Sequence, residues 1–164
     1  MKNIYIIGGT MGVGKTTVSQ ILKKKLDSCV FLDGDWCWDA DPFTVTEETK
    51  LMVMQNITFL LNQFIHCSAY RNIVFCWVLH DQAIIDDILS GMDLVNCNVK
   101  VISLICSEEQ LRKRLYFDVT AGKRKEDVIE RSVLRLPLYR CLNTIKIVTD
   151  DKLPEEIATE ISQL

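Results

Sequence analysis

Short, continuous apolar runs alternate along the chain with stretches in which apolar residues recur at helical spacing. Short apolar runs at residues 4–7, 30–32, 73–79, 99–105 and 145–148 are typical of buried β-strands. Between these runs, apolar residues recur three and four positions apart. This spacing predicts helices over residues 15–26, 47–65, 82–89 and 127–139, one that Ser107 caps and a last one from Pro154. In the longest helix the recurring residues are Leu51, Met54, Thr58 and Leu61.

Strands that alternate with helices predict an α/β fold with a parallel sheet. No linker, repeat or low-complexity segment divides the chain, so we predict a single doubly wound domain over residues 1–164. It would contain a five-stranded parallel sheet with helices on both faces. A length of 164 residues with 48% hydrophobic content suits one domain with an ample core.

The charge balance and the cysteines exclude several classes of protein. The 19 basic and 22 acidic residues leave a net charge of −3, which provides no electrostatic basis for general nucleic-acid binding. No stretch approaches the roughly 20 apolar residues that span a bilayer, and Gly8 and Gly9 end the first apolar run too early for a signal peptide. The seven cysteines are odd in number and form no C-x-x-C pair, which favours buried, reduced thiols. We therefore expect a cytoplasmic protein with neither nucleic-acid nor membrane partners.

The clearest motif lies between the first strand and the first helix. It matches G-x-x-x-x-G-K-[ST] in full and reads Gly9, Thr10, Met11, Gly12, Val13, Gly14, Lys15 and Thr16. Glycines let the backbone N–H groups face inward as an anion nest, and the following helix directs its positive end to the same place. Lys15 can reach the β- and γ-phosphates, Thr16 offers a hydroxyl to Mg²⁺, and Thr17 can hydrogen-bond the α-phosphate. This phosphate loop, residues 9–16, predicts a site for a nucleoside triphosphate with magnesium.

An acidic pair, Asp33 and Asp35, follows the second predicted strand. Alternation along an extended chain places both carboxylates on one side, at the sheet edge where open α/β folds bind ligands. One could hold the water shell of a metal ion, and the other could orient an acceptor hydroxyl and accept its proton. A solvated turn is the alternative, because Asp-Gly is a strong turn signal. The neighbouring phosphate loop favours the functional interpretation.

The phosphate loop, the run FLDGD at residues 31–35 and a later basic segment resemble the small P-loop kinases. That group includes gluconate, shikimate, adenylylsulfate and nucleoside monophosphate kinases, and FLDGD is especially similar to gluconate kinase and adenylylsulfate kinase. The resemblance implies a P-loop NTPase fold and the use of ATP with Mg²⁺. It places Asp33 with Thr16 in the metal site and Asp35 against the acceptor. With the phosphate loop after the first strand, the β–α alternation predicts the strand order 2-3-1-4-5.

The chain also departs from these kinases at two places. The segment WCWDADPF at residues 36–43 matches no substrate signature of the kinases named above. The third predicted strand is followed by His80 and Asp81 rather than ending in an aspartate. A conventional Walker B carboxylate is therefore missing, or Asp33 replaces it. These departures leave the identity of the acceptor open.

Basic residues concentrate between positions 112 and 140. Nucleotide kinases often carry an R-x-x-x-R pair near a lid, and Arg114 matches its first arginine, which in that group packs on adenine. The second position is Asp118, so the phosphate role would pass to Arg124 or to Arg131. A solvated charged face is the alternative for all three arginines. The polar stretch at about 118–127, which contains Gly122, is a candidate lid that would exclude water.

Several residues near the acidic pair could contact an acceptor. Trp36, Trp38 and Phe43 follow it directly, and Trp77 and His80 lie at the end of the third predicted strand. Core packing remains an alternative for Trp77, and a satisfied strand-end position remains one for His80. Two amides of the long helix, Asn56 and Gln63, could line the same pocket, and the loop at residues 149–152 is the expected neighbour of the nucleotide base.

These observations predict an ATP- and Mg²⁺-dependent phosphotransferase that moves the γ-phosphate to a hydroxyl or phosphate of a small molecule. A nucleotide-dependent regulatory ATPase or switch protein is the alternative. A guanine-specific switch needs an N-K-x-D type run and a motor-type ATPase needs a Walker B acid, and neither occurs in the sequence. The acceptor, the choice between ATP and GTP, and the oligomeric state remain open.

Overall fold

The computed structural model describes all residues, 1–164, in alternating strands and helices. The elements follow in the order β1 (Lys2–Gly8), α1 (Lys15–Lys25), β2 (Cys29–Asp33), α2 (Glu47–His66), β3 (Asn72–Cys76), α3 (Gln82–Ser90), β4 (Cys97–Ile105), α4 (Glu108–Thr120), α5 (Val128–Cys141), β5 (Ile145–Val148) and α6 (Pro154–Ser162). A short 3₁₀ helix, Gly34–Cys37, follows β2 directly. None of these helices combines the length and the hydrophobicity that crossing a bilayer requires.

The strands form one five-stranded sheet in the order β2-β3-β1-β4-β5. All four strand pairs are parallel, with Ile4 of β1 opposite Ile73 of β3 and Val99 of β4. The predicted α/β fold and its strand order are therefore confirmed. β3 is shorter than its apolar run: the strand ends at Cys76, and Leu79, three residues later, adopts a left-handed φ of 42°.

The core consists of one apolar layer on each face of the sheet. Along β1, Tyr5 and Ile7 point into the layer that α1, α4 and α6 cover, whereas Ile4 and Ile6 point into the layer under α2 and α3. Successive side chains of a strand face opposite sides, and a central parallel strand covered on both faces is therefore apolar throughout. This arrangement confirms the doubly wound architecture with helices on both faces.

The buried face of α2 differs from the recurring residues noted in the sequence. Its buried residues are Val53, Ile57, Leu61 and Ile65. Of the predicted set only Leu61 is buried, and Leu51 is 61% exposed. The helix contains two overlapping apolar stripes, and contact with β3 and the 3₁₀ helix decides which of them is covered.

The candidate lid is partly helical. α4 continues through Thr120, so the connection between α4 and α5 comprises only residues 121–127. Ser107 caps α4 as predicted, because its hydroxyl accepts a hydrogen bond from the backbone N–H of Gln110 at 3.3 Å. α4 therefore begins just after the carboxyl end of β4, and α5 leads back to the start of β5.

Candidate active site

The phosphate loop joins the end of β1 to the first turn of α1. Gly12 has a φ of +83°, and a Cβ at this position would lie 2.5 Å from Cδ2 of Leu115, so only glycine fits here. At the start of α1, Gly14 is the N-cap, with no side-chain cap and no acidic residue in the first turn. The N–H groups of that turn lack side-chain partners, which makes this helix end suitable for binding an anion.

The residues of the loop divide into structural and open positions. The hydroxyl of Thr10 is buried and donates to the Ser132 carbonyl at 2.9 Å, which ties the loop to α5. The N–H of Gly9 donates to the carbonyl of Val78 at 3.3 Å. Val13 is buried in the core and Met11 packs against it. These contacts hold the loop in place, and the side chains of Lys15, Thr16 and Thr17 face the open side.

Lys15 lies inside the loop rather than in solvent. Its Nζ donates to the Thr10 carbonyl oxygen at 3.0 Å. Burial lowers the pKa of the ammonium group, while Cys76, Asp35 and Asp33 act in the opposite direction. The amine therefore lies within electrostatic reach of both carboxylates of the acidic pair.

Thr16 and Asp33 are in direct contact, although 17 positions separate them. The Thr16 hydroxyl donates to Oδ2 of Asp33 at 2.9 Å. The carboxylate is only 7% exposed, and its Oδ1 accepts the backbone N–H of Asp35 at 3.2 Å. The Cys76 thiol, whose pKa burial raises to about 12, is a third donor to this group at 3.5 Å. These three contacts fix the orientation of Asp33 beside the phosphate loop.

Asp35 reaches the site by a different route from the one predicted. The chain does not continue as an extended strand after Asp33 but turns into the 3₁₀ helix, which carries Asp35. There, Oδ1 of Asp35 accepts the indole N–H of Trp77 at 3.0 Å. Burial and then the charge of Asp33 raise the pKa of Asp35, against the effects of Trp77, Lys15 and Arg124.

The oxygen atoms of Thr16 and Asp33 are the groups here that suit a hard cation. No set of three or more His, Cys, Asp or Glu side chains forms a metal cage. Magnesium usually binds one or two protein oxygen ligands and completes its shell with phosphate oxygens and water. The donor set therefore fits magnesium that arrives with a nucleotide.

A cavity of about 630 Å³ opens in front of the phosphate loop. Its walls come from the loop and first turn of α1, from α4, and from the lid connection; they comprise Gly12, Gly14, Lys15, Thr16, Thr17, Gln110, Lys113, Arg114, Tyr116, Phe117, Asp118 and Arg124. A smaller cavity of about 280 Å³ shares Thr17 and Arg114 with it and extends to Lys152 and Pro154 at the start of α6. Together they provide a polar end at the loop and a more apolar end beside α6.

Arg114 connects the two cavities. Its Nη1 donates to the Thr149 hydroxyl at 3.0 Å and to the Val13 carbonyl at 3.3 Å, and its Nη2 donates to the Thr149 carbonyl at 2.9 Å. The planar guanidinium is therefore held between the phosphate loop and the loop after β5. The structure thus brings together Arg114 and the loop after β5, the two features that we expected near the nucleotide base.

The other arginines differ in position. Arg124 forms an ion pair with Asp118 at 3.2 Å and lines the larger cavity. Arg131 pairs with Asp127 at 3.0 Å on the exposed side of α5 and does not line that cavity.

Arg135 has no ion pair or side-chain hydrogen bond. It lies close enough to His80 to lower the pKa of that imidazole, an effect second to that of burial. Sequence reasoning missed Arg135, although its position four residues before the buried Tyr139 indicated the inward face of α5.

Aromatic side chains occupy the side of the site opposite α4. Trp38 packs edge-on against Trp77, with 5.9 Å between the ring centroids, and against Phe43 at 4.8 Å. Trp36 instead packs on Phe31 at 5.3 Å. Of the two predicted amides, Asn56 donates to the Cys37 carbonyl at 2.9 Å, whereas Gln63 is exposed and makes no side-chain hydrogen bond.

His80 lies in the connection between β3 and α3, three residues after Trp77. Its Nδ1 is buried and has no hydrogen-bond partner. Unpartnered buried polar atoms are rare in native proteins. His80 therefore does not behave as a satisfied strand-end histidine.

Solved structures similar to this chain include proteins of several activities. The tunicamycin resistance protein of Deinococcus radiodurans superposes with a TM-score of 0.71 at 18% identity, covering 99% of this chain and 95% of that one. A gluconokinase from Sinorhizobium meliloti 1021 gives 0.71 at 15% identity, covering 96% and 88%. The shikimate kinase from Acinetobacter baumannii, solved in complex with shikimate, gives 0.61 at 25% identity, covering 99% and 92%. These neighbours confirm the resemblance to the small P-loop kinases.

Comparison of the sequence itself gives a family assignment. No curated protein sequence matches the chain. A family model described as an AAA domain matches residues 6–133, from β1 through the phosphate loop and the acidic pair into α5. Because this match spans most of the chain, the protein belongs to the AAA domain family, in which it has the fold of the small P-loop kinases.

Proposed function

We propose that this protein transfers the γ-phosphoryl group of ATP, bound with Mg²⁺, to a small molecule. The observation that carries the proposal is the hydrogen bond of 2.9 Å between Thr16 and Asp33. It joins the hydroxyl of the phosphate loop to the acidic pair, so nucleotide, metal and acceptor groups would meet at one point of the sheet edge. A loop that only bound nucleotide would not need a second carboxylate, Asp35, beside the buried Asp33 at that point.

In this proposal the phosphate loop holds the triphosphate through the backbone of residues 9–14 and the first turn of α1. Lys15 would leave the Thr10 carbonyl for the β- and γ-phosphates, and Thr17 would hydrogen-bond the α-phosphate. The guanidinium of Arg114, held by Val13 and Thr149, would border the base. Transfer would then depend on positioning and charge neutralisation, which dominate phosphoryl-transfer catalysis.

Thr16 and Asp33 would hold the magnesium ion, Thr16 directly and Asp33 through the water shell. When bound, the ion neutralises charge on the β- and γ-phosphate oxygens. The low exposure of Asp33 and its three donors support a fixed rather than a mobile role for this carboxylate.

Asp35 would orient the acceptor and accept its proton. Two features support this role: the Trp77 N–H fixes one carboxylate oxygen, and the raised pKa makes the ionised group a stronger base. The second oxygen of Asp35 accepts no hydrogen bond from the protein and remains available to an acceptor.

Two arginines would reach the transferring phosphoryl group. Arg124 lines the cavity and would exchange Asp118 for phosphate oxygens when the lid closes. For the second we assign Arg135 in place of Arg131. Neither lines the cavity, but Arg135 is unpaired, half-buried and close enough to His80 to affect its pKa, whereas Arg131 is paired on the exposed surface.

A metabolite screen tests the proposal. The protein is incubated with Mg²⁺, ATP labelled at the γ-phosphate and a library of hydroxyl and phosphate compounds that includes gluconate and shikimate, the acceptors that the names of two structural neighbours suggest. We expect at least one compound to gain the label, and Lys15→Ala to abolish the gain. ATP hydrolysis with no transfer to any compound would instead support a regulatory ATPase.

A further inference from the structure

An aromatic surface extends outward from Asp35. Its members are Trp77, Trp38 and Phe43, which we call the aromatic wall, and successive ring centroids lie 5.9 and 4.8 Å apart. Phe43, at the outer end, is 58% exposed. Trp38 and Trp77 are half-buried behind it. Flat aromatic rings are a common lining of small-molecule sites.

The inner end of the aromatic wall contacts the acidic pair directly. The indole N–H of Trp77 donates to Oδ1 of Asp35 at 3.0 Å. The ring lies directly against Gly34, where a Cβ would stand 2.5 Å from Cγ of Trp77, so the glycine between the two aspartates makes this approach possible. A compound that presents a hydroxyl to Asp35 would therefore lie along these rings.

The charge of the same segment restricts which compounds can lie there. Residues 33–49 contain six carboxylates and no Lys, Arg or His. The cations that act on Asp35 are Lys15 and Arg124, which belong to the phosphate loop and the lid connection at the inner end of the wall. An acceptor with a carboxylate or phosphate would approach these like charges with no cation on the wall to offset them.

We propose, resting on the function proposed above, that the acceptor is a hydroxyl compound with a flat apolar ring and no negative charge. Its ring lies against Trp38 and Phe43, and its hydroxyl meets the free oxygen of Asp35. That hydroxyl oxygen forms a bond to the γ-phosphorus as the bond from the bridging β–γ oxygen to the γ-phosphorus breaks. The bridging oxygen keeps the electron pair and leaves as ADP, and the hydroxyl proton passes to Asp35.

Four probe compounds distinguish the contribution of the ring to binding from that of the charge. Tyramine, tyrosol and 4-hydroxyphenylacetate share one phenol ring and carry a positive, a neutral and a negative side group, and ethanolamine carries the amine without the ring. Binding is measured by calorimetry with the protein saturated with Mg²⁺ and a non-hydrolysable ATP analogue. We expect tyramine and tyrosol to bind about tenfold or more tightly than the other two compounds. Ethanolamine lacks the aromatic contact, and 4-hydroxyphenylacetate is repelled by the carboxylates. Tighter binding of 4-hydroxyphenylacetate than of tyramine would overturn the charge argument. If ethanolamine bound as tightly as tyramine, or if neither tyramine nor tyrosol bound, the ring argument would be overturned.

A matched pair of variants locates the binding surface. Phe43→Ala removes the outer ring of the wall, whereas Phe59→Ala removes an equally exposed ring, 58% against 62%, from the outer face of α2. We expect Phe43→Ala to weaken tyrosol binding about tenfold and Phe59→Ala to leave it unchanged. Equal effects of the two variants, or no effect of either, would place the probe elsewhere.

The outcomes also distinguish this inference from the function on which it rests. Binding of tyrosol at the wall without phosphoryl transfer to any compound would refute the kinase proposal and keep the ring-binding surface. Phosphoryl transfer to anionic acceptors in preference to neutral ring compounds would refute the inference and keep the kinase.

Discussion

Replacing Asp33 by asparagine tests the metal side of the site with little change of shape. The carboxylate accepts from Thr16 and Cys76 at Oδ2 and from the backbone of Asp35 at Oδ1. An amide has one accepting oxygen, so in either orientation at least one of these acceptor positions becomes an NH₂ group that faces a donor. We therefore expect both the charge and the orientation of the group to be lost together.

The size of the effect follows from these contacts. One hydrogen bond to a charged group contributes about 1.5–3 kcal/mol, and each 1.4 kcal/mol corresponds to about a factor of ten. Loss of an outer-shell partner typically costs a metal site about 10–100-fold in affinity. We expect Asp33→Asn to raise the magnesium concentration for half-maximal activity about 10–100-fold, and to recover most of its rate at high magnesium.

The comparison variant is Asp35→Asn, which leaves the contacts of Thr16 unchanged but removes the proposed proton acceptor. Its rate should stay low at every magnesium concentration, with ATP affinity nearly unchanged. The assay is the initial rate against magnesium at saturating ATP, with thermal unfolding of both variants as the control for folding. Superimposable titration curves would refute the division of labour between the two aspartates, and full activity in both would make the pair a solvated turn.

Three further predictions concern the other charged groups of the site. Lys15→Ala should weaken ATP binding by about 100-fold or more in calorimetry. Its unfolding temperature should not change, because the ammonium group makes only one hydrogen bond within the protein, to Thr10. Unchanged ATP affinity would contradict the assignment of the loop. Arg135→Met should lower the rate of transfer about 100-fold or more, whereas Arg131→Met on the same helix should lower it less than threefold; the reverse order would return the phosphate role to Arg131. Because the pKa of Asp35 is raised in the folded state, its ionisation lowers the stability of the ligand-free protein at neutral pH. Asp35→Asn should therefore raise the unfolding temperature at pH 7, and the gain should disappear as the pH falls below the ordinary pKa of aspartate; a gain that grows toward acid pH would contradict the direction of this shift.

The local pattern of the sequence was sufficient to predict the architecture. Continuous apolar runs and three-to-four-residue spacings, together with the phosphate loop after the first strand, predicted the parallel sheet and its strand order, both of which the structure confirms. These features depend on residues close in sequence, because a buried parallel strand must be apolar on both faces and a glycine loop must precede the helix that binds phosphate. The proximity of Thr16 to Asp33 also follows from topology, because α1 begins and β2 ends at the same edge of the sheet.

Only the tertiary structure decided which of several equivalent side chains enter the core or the site. The sequence placed Leu51 on the recurring stripe of α2 and made Arg131, not Arg135, a candidate for the phosphate role. In the structure Val53 is buried while Leu51 is exposed, and Arg135, not Arg131, lies near enough to His80 to lower its pKa. The turn after Asp33, which brings Asp35 to Trp77, likewise depends on an indole more than 40 positions away. Such choices are made by contacts between segments distant in the chain, and the spacing of residues within one segment carries no information about them.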